Sequence, residues 1–225
     1  MRPFASRFYF FGILSLIVVV SSSAGYASED AAGCRDPLGL KRFKDSVLVQ
    51  CEARDFATYM LPKGKLLSWD YTAQKAKFES HLDLSGRLTS NLYLVPIGVS
   101  SEEVMANYRL ELEQMDFGEL FAANGLAFGI DQGRFFESFG PGGQLVGYSP
   151  DRSHFIAAAK ETGEQKTYVS LYILEFQGGM PPKIQPQLNQ VLVRLDTIET
   201  GNCKSVWRRL SPPANSRRIL IHLGV

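Results

Sequence analysis

The chain has 225 residues, of which 45% are hydrophobic and 21% charged, and its formal net charge at pH 7 is +1. These values are typical of a globular protein with one domain, or two small ones, that can form a core. All 23 acidic residues lie within residues 28–201, and an exported body that is acidic argues against a nucleic-acid partner. No segment after residue 27 is apolar for long enough to cross a bilayer.

The N-terminus has the three parts of a secretory signal peptide. Arg2 and Arg7 give a positive start, residues 8–20 form an apolar run, and a stretch of mostly small residues follows and ends in Ala27. The apolar run is shorter than the roughly 20 residues that a membrane-spanning helix needs. Residues 1–27 are therefore predicted to be a signal peptide that is cleaved after Ala27. The protein is expected to be periplasmic or associated with the outer membrane.

The cysteines follow the signal peptide. Cys34 and Cys51 are 17 positions apart, one before the first predicted strand and one at its end. Outside the cytosol such a pair is more often a disulfide than two free thiols. A Cys34–Cys51 disulfide is therefore predicted, and Cys203 is left over. Lipidation of Cys34 is a weaker alternative, because Glu29 and Asp30 separate this cysteine from the apolar run.

The exported part begins with β-structure. Residues 46–51 and 56–61 predict two short strands with polar residues between them. Residues 65–95 predict a meander of two or three strands, with a turn at residues 85–86 and a strand over residues 88–95.

One helix is predicted from two independent signals. Ser100 and Glu103 have the S-x-x-E spacing of a capping box, in which each side chain satisfies a free backbone donor at the start of a helix. Apolar residues follow at helical spacing from Val104 onward, so residues 101–115 are predicted to form an amphipathic helix that packs on the sheet. The adjacent acids Glu102 and Glu103 suit the positive end of the helix dipole.

Strands predominate in the rest of the chain. Residues 117–122 predict a strand, residues 131–139 allow a second short helix, and residues 155–159 and 167–176 predict a hairpin. Residues 191–195 predict the last strand. The expected fold class is α+β, a mostly antiparallel sheet with one main amphipathic helix and room for a second short one.

No segment has the spacing of a catalytic, cofactor-binding or metal-binding motif. The glycines of residues 140–147 are interrupted by a proline and lead to no lysine, so a surface turn is predicted there rather than a phosphate loop. The chain has no G-x-S-x-G elbow and no C-x-x-C pair, and its histidines stand apart. Residues 151–154 are predicted to form a solvated turn, and Glu111, Glu113 and Glu119 a solvated face. No catalytic residue, cofactor or metal ligand is therefore predicted.

One set of short segments carries a family resemblance. It consists of residues 33–37 (GCRDP), 42–43 (RF), 51–52 (CE), 104–112 (VMANYRLEL), 118–121 (GELF), 124–125 (NG), Gly129, 168–172 (YVSLY) and 191–196 (VLVRLD). The set resembles the uncharacterised N-terminal region of some OmpA-like cell-envelope proteins and related stand-alone domains of unknown function. The resemblance implies an envelope location and an α+β domain over residues 28–201, and it supplies no catalytic residue.

The chain also departs from that family in two ways. Ala123 and Phe128 stand where many relatives have cysteines. No segment of this sequence corresponds to the peptidoglycan-binding domain that follows in the OmpA-like members, so the resemblance does not imply peptidoglycan binding.

The C-terminal segment, residues 202–225, differs abruptly from the acidic body. It has no acidic residue, and its basic residues are Lys204, Arg208, Arg209, Arg217 and Arg218. This basic tail is predicted to lie outside the domain core, as the product of a frameshift or truncation. The rival interpretation is a native basic arm that charge attracts to an anionic lipid or cell-wall polymer.

Two functions from different classes remain. The first is a non-enzymatic envelope domain that binds or scaffolds an outer-membrane or cell-wall component, either a protein or a polymer. The second is a periplasmic hydrolase whose active site is dispersed along the sequence. A cleft with converging acids or histidines would favour the hydrolase. An edge strand or an exposed apolar patch would favour the binding domain.

Overall fold

The computed structural model describes residues 29–37, 39–130, 135, 148–178 and 184–201, with only the backbone of residues 148–150. The elements in chain order are β1 (Val47–Pro62), β2 (Leu66–Asp70), β3 (Lys75–Phe78), β4 (His81–Leu94), α1 (Ser101–Gln114), β5 (Gly118–Asn124), a 3-10 turn (Gly125–Phe128), β6 (Tyr148–Thr162), β7 (Gln165–Phe176) and β8 (Val191–Thr200). Among these elements no helix combines the length and the apolar character needed to cross a membrane.

Six of the strands form one antiparallel sheet in the order β1-β4-β8-β7-β6-β5. The remaining two, β2 and β3, form a separate hairpin. The α+β class with a mostly antiparallel sheet and one main helix is therefore confirmed. The only further helical turn among the described residues is the 3-10 turn at Gly125–Phe128. The second short helix allowed over residues 131–139 lies outside the described residues, apart from Phe135.

Both faces of the sheet are covered. On the first, which we call the helix face, α1 and the segment before β1 enclose a core that includes Tyr93, Ile156 and Leu171. On the second, the hairpin face, the β2–β3 hairpin and the 3-10 turn cover a core that includes Phe155 and Leu174. Because both faces are covered, β7 from Val169 onward and β8 up to Ile198 are buried without interruption and do not alternate between buried and exposed positions.

The segment before β1 is fixed to the sheet by the predicted disulfide. Cys34 and Cys51 are bonded, with their Cα atoms 5.7 Å apart. Next to this bond, the guanidinium of Arg42 forms ion pairs with Asp30 at 2.6 Å and with Asp36 at 2.9 Å. The Cys34–Cys51 prediction is confirmed, and the bond holds this segment over the helix face.

The first predicted strands differ from the observed ones. The two short strands predicted over residues 46–51 and 56–61 are one continuous strand, β1, whose register with β4 shifts between Arg54 and Ala57. The polar residues that suggested a break are exposed edge positions of this strand.

The predicted turn at residues 85–86 is also wrong, because both residues lie inside β4. At Gly86, β4 passes close to β8: a Cβ atom there would collide with the carbonyl oxygen of Glu199. A glycine within a strand often marks such a close approach, and the sequence pattern alone reads as a turn.

The later predictions agree well with the structure. The helix predicted over residues 101–115 is α1, and the Ser100 hydroxyl accepts a hydrogen bond from the backbone N–H of Glu103 at 3.2 Å. The predicted hairpin is β6 and β7, and the predicted last strand is β8. The signal peptide, the glycine-rich residues 140–147 and the basic tail lie outside the described residues.

Candidate functional site

A cleft of about 410 Å³ lies on the helix face, between α1 and β5. Its lining residues come from three elements: Glu102, Met105, Ala106 and Arg109 of α1, Ala122, Ala123 and Asn124 of β5, and His154 of β6. We call it the α1–β5 cleft. Its walls are partly apolar, and its polar groups are a carboxylate, a guanidinium and an imidazole.

The spacing of α1 explains which side chains reach the cleft. Val104, Tyr108 and Leu112 are buried and pack α1 against the sheet. Residues three or four apart share one side of a helix, so Glu102 and Arg109 lie on a stripe beside this apolar one. The Ser100 cap fixes where the helix begins, and it therefore fixes the place of Glu102 at the cleft.

His154 is a buried polar side chain in the cleft wall. Its residue is only 6% exposed, and its Nε2 atom has no hydrogen-bond partner within the described part of the chain. Oε1 of Glu102 lies 3.8 Å from Nε2. Burial lowers the pKa of His154 below its usual value, although Glu102 and Glu175 partly oppose the shift. The imidazole is therefore neutral at neutral pH.

Glu102 is the carboxylate of the cleft. A hydrogen bond from its own backbone N–H is the main cause that lowers its pKa, and nearby His154 contributes. Its side chain is 62% exposed, and among the described residues no lysine or arginine forms an ion pair with it. Glu102 is thus an ionised carboxylate that faces the cleft without a cationic partner.

A second carboxylate, Glu175 of β7, anchors the start of α1 beneath the cleft. It accepts hydrogen bonds from the backbone N–H and the hydroxyl of Ser101, both at 3.2 Å. Arg152 of β6 pairs with its other oxygen at 3.1 Å. These contacts hold the first turn of the helix against β6 and β7, and they keep the cleft in shape.

The cleft continues along α1 as a longer groove. Arg109 reaches across to Glu119 of β5 with an Nε–Oε2 distance of 3.0 Å. Beyond this bridge lies a second cavity of about 200 Å³, whose walls include Leu112, Phe117 and Ile156. The groove therefore follows β5 over most of its length, and the ion pair crosses it.

Strand β5 lies at one end of the sheet. Within the described part of the chain it pairs with β6 and with no other strand. One register irregularity separates Glu119 from Phe121. An edge strand presents a row of backbone N–H and C=O groups to which another strand can bind.

The predictions for these residues are partly corrected. Residues 151–154 do not form a solvated turn: they belong to β6, and Ser153 and His154 are buried. His154 pairs with β5 and with β7, and Ser153 pairs with β7, which buries these two residues, whereas Asp151 and Arg152 remain exposed. Of the predicted solvated face, Glu113 and Glu119 are exposed, whereas Glu111 is half-buried and accepts a hydrogen bond from the backbone of Lys41.

The lining residues define what the cleft can do chemically. None of them is a serine, threonine or cysteine. The neighbouring Ser101 hydroxyl is bonded to Glu175. No group of three or more histidines, cysteines or acids that could hold a metal ion occurs among the described residues. The cleft offers a carboxylate, an imidazole and a strand edge, which are groups for recognition.

Sequence reasoning did not find this cleft, although one signal was present. The signal is the apolar strand pattern that follows His154. If the strand is extended to include His154, alternation places this histidine on the same face as Ile156. Its contact with Glu102 depends on how α1 packs on the sheet, which the local pattern does not specify.

Comparisons with known proteins do not add an identity. No protein-family model matches the chain, and no curated protein matches its sequence. The cleft and the strand edge are therefore the features from which a function can be inferred.

Proposed function

We propose that the protein is an exported, non-enzymatic cell-envelope domain that binds an extended segment of a partner protein in the groove between α1 and β5. One observation carries the proposal: the groove runs beside an edge strand whose outer side has no strand partner among the described residues. Binding of a peptide as an additional strand is a recurrent recognition mode, in which backbone bonds give affinity and side-chain pockets give specificity.

The dimensions of the groove suit this mode. Side chains of a bound strand point to the same face at every second residue. The two cavities along α1, separated by the Arg109–Glu119 bridge, offer separate places for such side chains. A cell-wall saccharide has no row of alternating N–H and C=O groups that could pair with β5, so a protein segment is the better partner.

The envelope location rests on three supports. The N-terminal pattern predicts export, and the Cys34–Cys51 disulfide is typical of an oxidising compartment. The resemblance to the N-terminal region of OmpA-like envelope proteins points the same way.

A displayed library of short random peptides tests the binding proposal. The secreted protein, with its disulfide intact, is used to select binders, and their affinity is measured by fluorescence anisotropy. Ala106→Trp fills the cleft from the exposed side of α1, and it is expected to weaken binding by at least about tenfold, or roughly 1.4 kcal/mol.

Asn107→Trp is the matched control, because Asn107 is the next exposed helix residue and does not line the groove. It is expected to leave binding unchanged. Binders that tolerate Ala106→Trp, or the absence of binders, would refute the groove as the binding site.

A second candidate function, a periplasmic hydrolase, is favoured by one observation. His154 and Glu102 converge in a cleft, and both have shifted pKa values. Such a pair could act as general base and acid in attack by water, since no serine, threonine or cysteine lines the cleft. Esterase, phosphatase, glycosidase and peptidase substrates test it: turnover that His154→Gln and Glu102→Gln both abolish would establish the hydrolase.

A further inference from the structure

We infer that the α1–β5 cleft selects a segment with a lysine or arginine side chain, which enters beside His154 and pairs with the carboxylate of Glu102. The inference rests on the proposed peptide-binding function, and it adds the chemical class of the partner. It follows from three features of the cleft: its charge, its walls and its unpartnered imidazole.

The charge around the groove is negative. Glu102, Glu113 and Glu119 line it, against the single cation Arg109. Arg109 donates to Glu119 at 3.0 Å, so its charge is already engaged. Glu102 and Glu113 form no ion pair with a lysine or arginine among the described residues, and of these two carboxylates only Glu102 lines the α1–β5 cleft.

The positive end of the α1 dipole does not cancel this charge. Glu103 lies in the same first turn, and Glu175 accepts hydrogen bonds from Ser101 at the helix start. These carboxylates, together with Glu102, offset the partial positive charge of the helix end. A cation that enters the cleft therefore meets a surplus of negative charge.

The walls suit the aliphatic part of a long basic side chain. Met105, Ala106 and Ala122 are apolar and small or flexible. Lysine and arginine commonly bury their methylene stems on apolar surface and keep the charged head at a polar group. A side chain that lies along these residues would bring its head to Glu102.

The cleft contains a buried imidazole in addition to its acidic side chains. Nε2 of His154 is buried, lacks a hydrogen bond within the described residues, and lies 3.8 Å from Oε1 of Glu102. A neutral imidazole does not neutralise the adjacent carboxylate, so the negative charge of Glu102 is available to pair with a ligand. A protonated imidazole would neutralise Glu102 and repel a basic side chain.

This arrangement makes cation binding depend on pH. Two charged side chains of α1, Glu102 and Arg109, face His154. Its neighbours in the sheet are Asn124 of β5 and Ile173 of β7, and the charge of Glu175 on β7 also acts on it. On its own strand, Arg152 is paired with Glu175. Burial lowers the pKa of His154, so the imidazole is neutral at neutral pH and charges only in mild acid. Glu102, whose pKa is also lowered, stays ionised over that range.

Peptides selected from the displayed library provide the test. Binders that are lost in Ala106→Trp are expected to share a lysine or arginine at one position. Replacement of that residue by norleucine in a synthetic peptide is expected to weaken binding about tenfold, as for a charge-assisted contact. Glu102→Gln should bind the selected peptide and its norleucine variant with affinities within about twofold of each other.

The control is Glu103→Gln, which changes a neighbouring exposed carboxylate that does not line the cleft. It should leave the lysine preference intact. The preference should also fall as the pH is lowered below the ordinary imidazole pKa of 6.5 in the natural protein but not in His154→Gln. Circular dichroism of each variant verifies that the fold is retained.

The outcomes separate the two proposals. Groove binders without a shared basic residue, or a lysine preference that survives Glu102→Gln, would overturn the cation inference and leave peptide binding standing. Absence of groove binders would overturn both.

Discussion

The hydroxyl of Tyr59 donates a hydrogen bond to Oδ2 of Asp196 at 2.8 Å, across 137 positions of sequence. The same carboxylate accepts hydrogen bonds from the Ser90 hydroxyl at 2.5 Å and from Nε of Arg194 at 3.1 Å. Asp196 is only 1% exposed and Arg194 7%. The end of β1 therefore curls over the hairpin face, and a buried charged pair fixes its position.

Removal of the charge on Asp196 is expected to be the most damaging of the substitutions considered. Asp196→Asn removes the charge that Asp196 places beside the buried guanidinium of Arg194, and loss of one partner of such a pair costs about 3–5 kcal/mol. Tyr59→Phe removes one neutral donor and should cost about 1–3 kcal/mol. Urea unfolding followed by fluorescence measures both. Asp55→Asn, at an exposed position of β1, is the control, and an equal loss there would contradict the prediction.

Gly86 is expected to tolerate no side chain. A Cβ atom at this position would collide with the backbone of Glu199, so Gly86→Ala must displace β4 from β8. Such overpacking costs about 1–3 kcal/mol. Thermal unfolding measures the loss.

Gly118→Ala is the matched strand glycine, because its nearest neighbour would be the carbonyl oxygen of Ala159 at an ordinary 3.8 Å. We expect it to change stability little. If both alanine variants lose the same stability, the close approach of Gly86 to Glu199 is not what makes this position intolerant of a side chain.

Local signals in the sequence predicted a large part of this fold. The Ser100 cap and the helical spacing gave α1 to within a residue at its end, since both signals act within a few positions of the chain. The apolar runs of β7 and β8 were also found, because burial on both faces leaves long apolar segments.

Features that depend on distant contacts were not predictable in the same way. The continuity of β1 and the role of Gly86 depend on pairing with β4 and on contact with β8. His154 meets Glu102 only because α1 packs over β6. A single sequence carries no direct record of such contacts, so the polar residues near His154 resemble an ordinary turn.

The Cys34–Cys51 disulfide is expected to contribute much of the stability of the N-terminal segment. In the chain-entropy model a loop of this size gives about 3 kcal/mol, so Cys34→Ser combined with Cys51→Ser should lower the free energy of unfolding by about that amount. Urea unfolding measures the loss, and peptide mapping without reductant verifies the bond. Cys203→Ser is the control, and it is expected to leave the free energy of unfolding and the Cys34–Cys51 bond unchanged. A disulfide that includes Cys203 would contradict the assignment.

Stability is expected to fall in mild acid because of His154. Its pKa in the folded protein is lowered from the model-peptide value of 6.5 by burial, so the unfolded chain binds a proton more readily than the folded one. The contribution of His154 to the free energy of unfolding is therefore fully present above pH 6.5. It is lost as the pH falls from there towards the lowered folded-state pKa. His154→Gln should remove this slope, whereas His81→Gln, at an exposed histidine, should keep it.

Glu102 acts in a lower pH range and can be separated from His154. Its pKa in the folded protein is lowered from 4.5, so its contribution is present above that pH and is lost only below it. Urea unfolding at a series of pH values, compared among the natural protein, His154→Gln and Glu102→Gln, resolves the two ranges. A slope above pH 4.5 that persists in His154→Gln would show that another group titrates on unfolding, and that the imidazole beside Glu102 is not the source of the acid sensitivity.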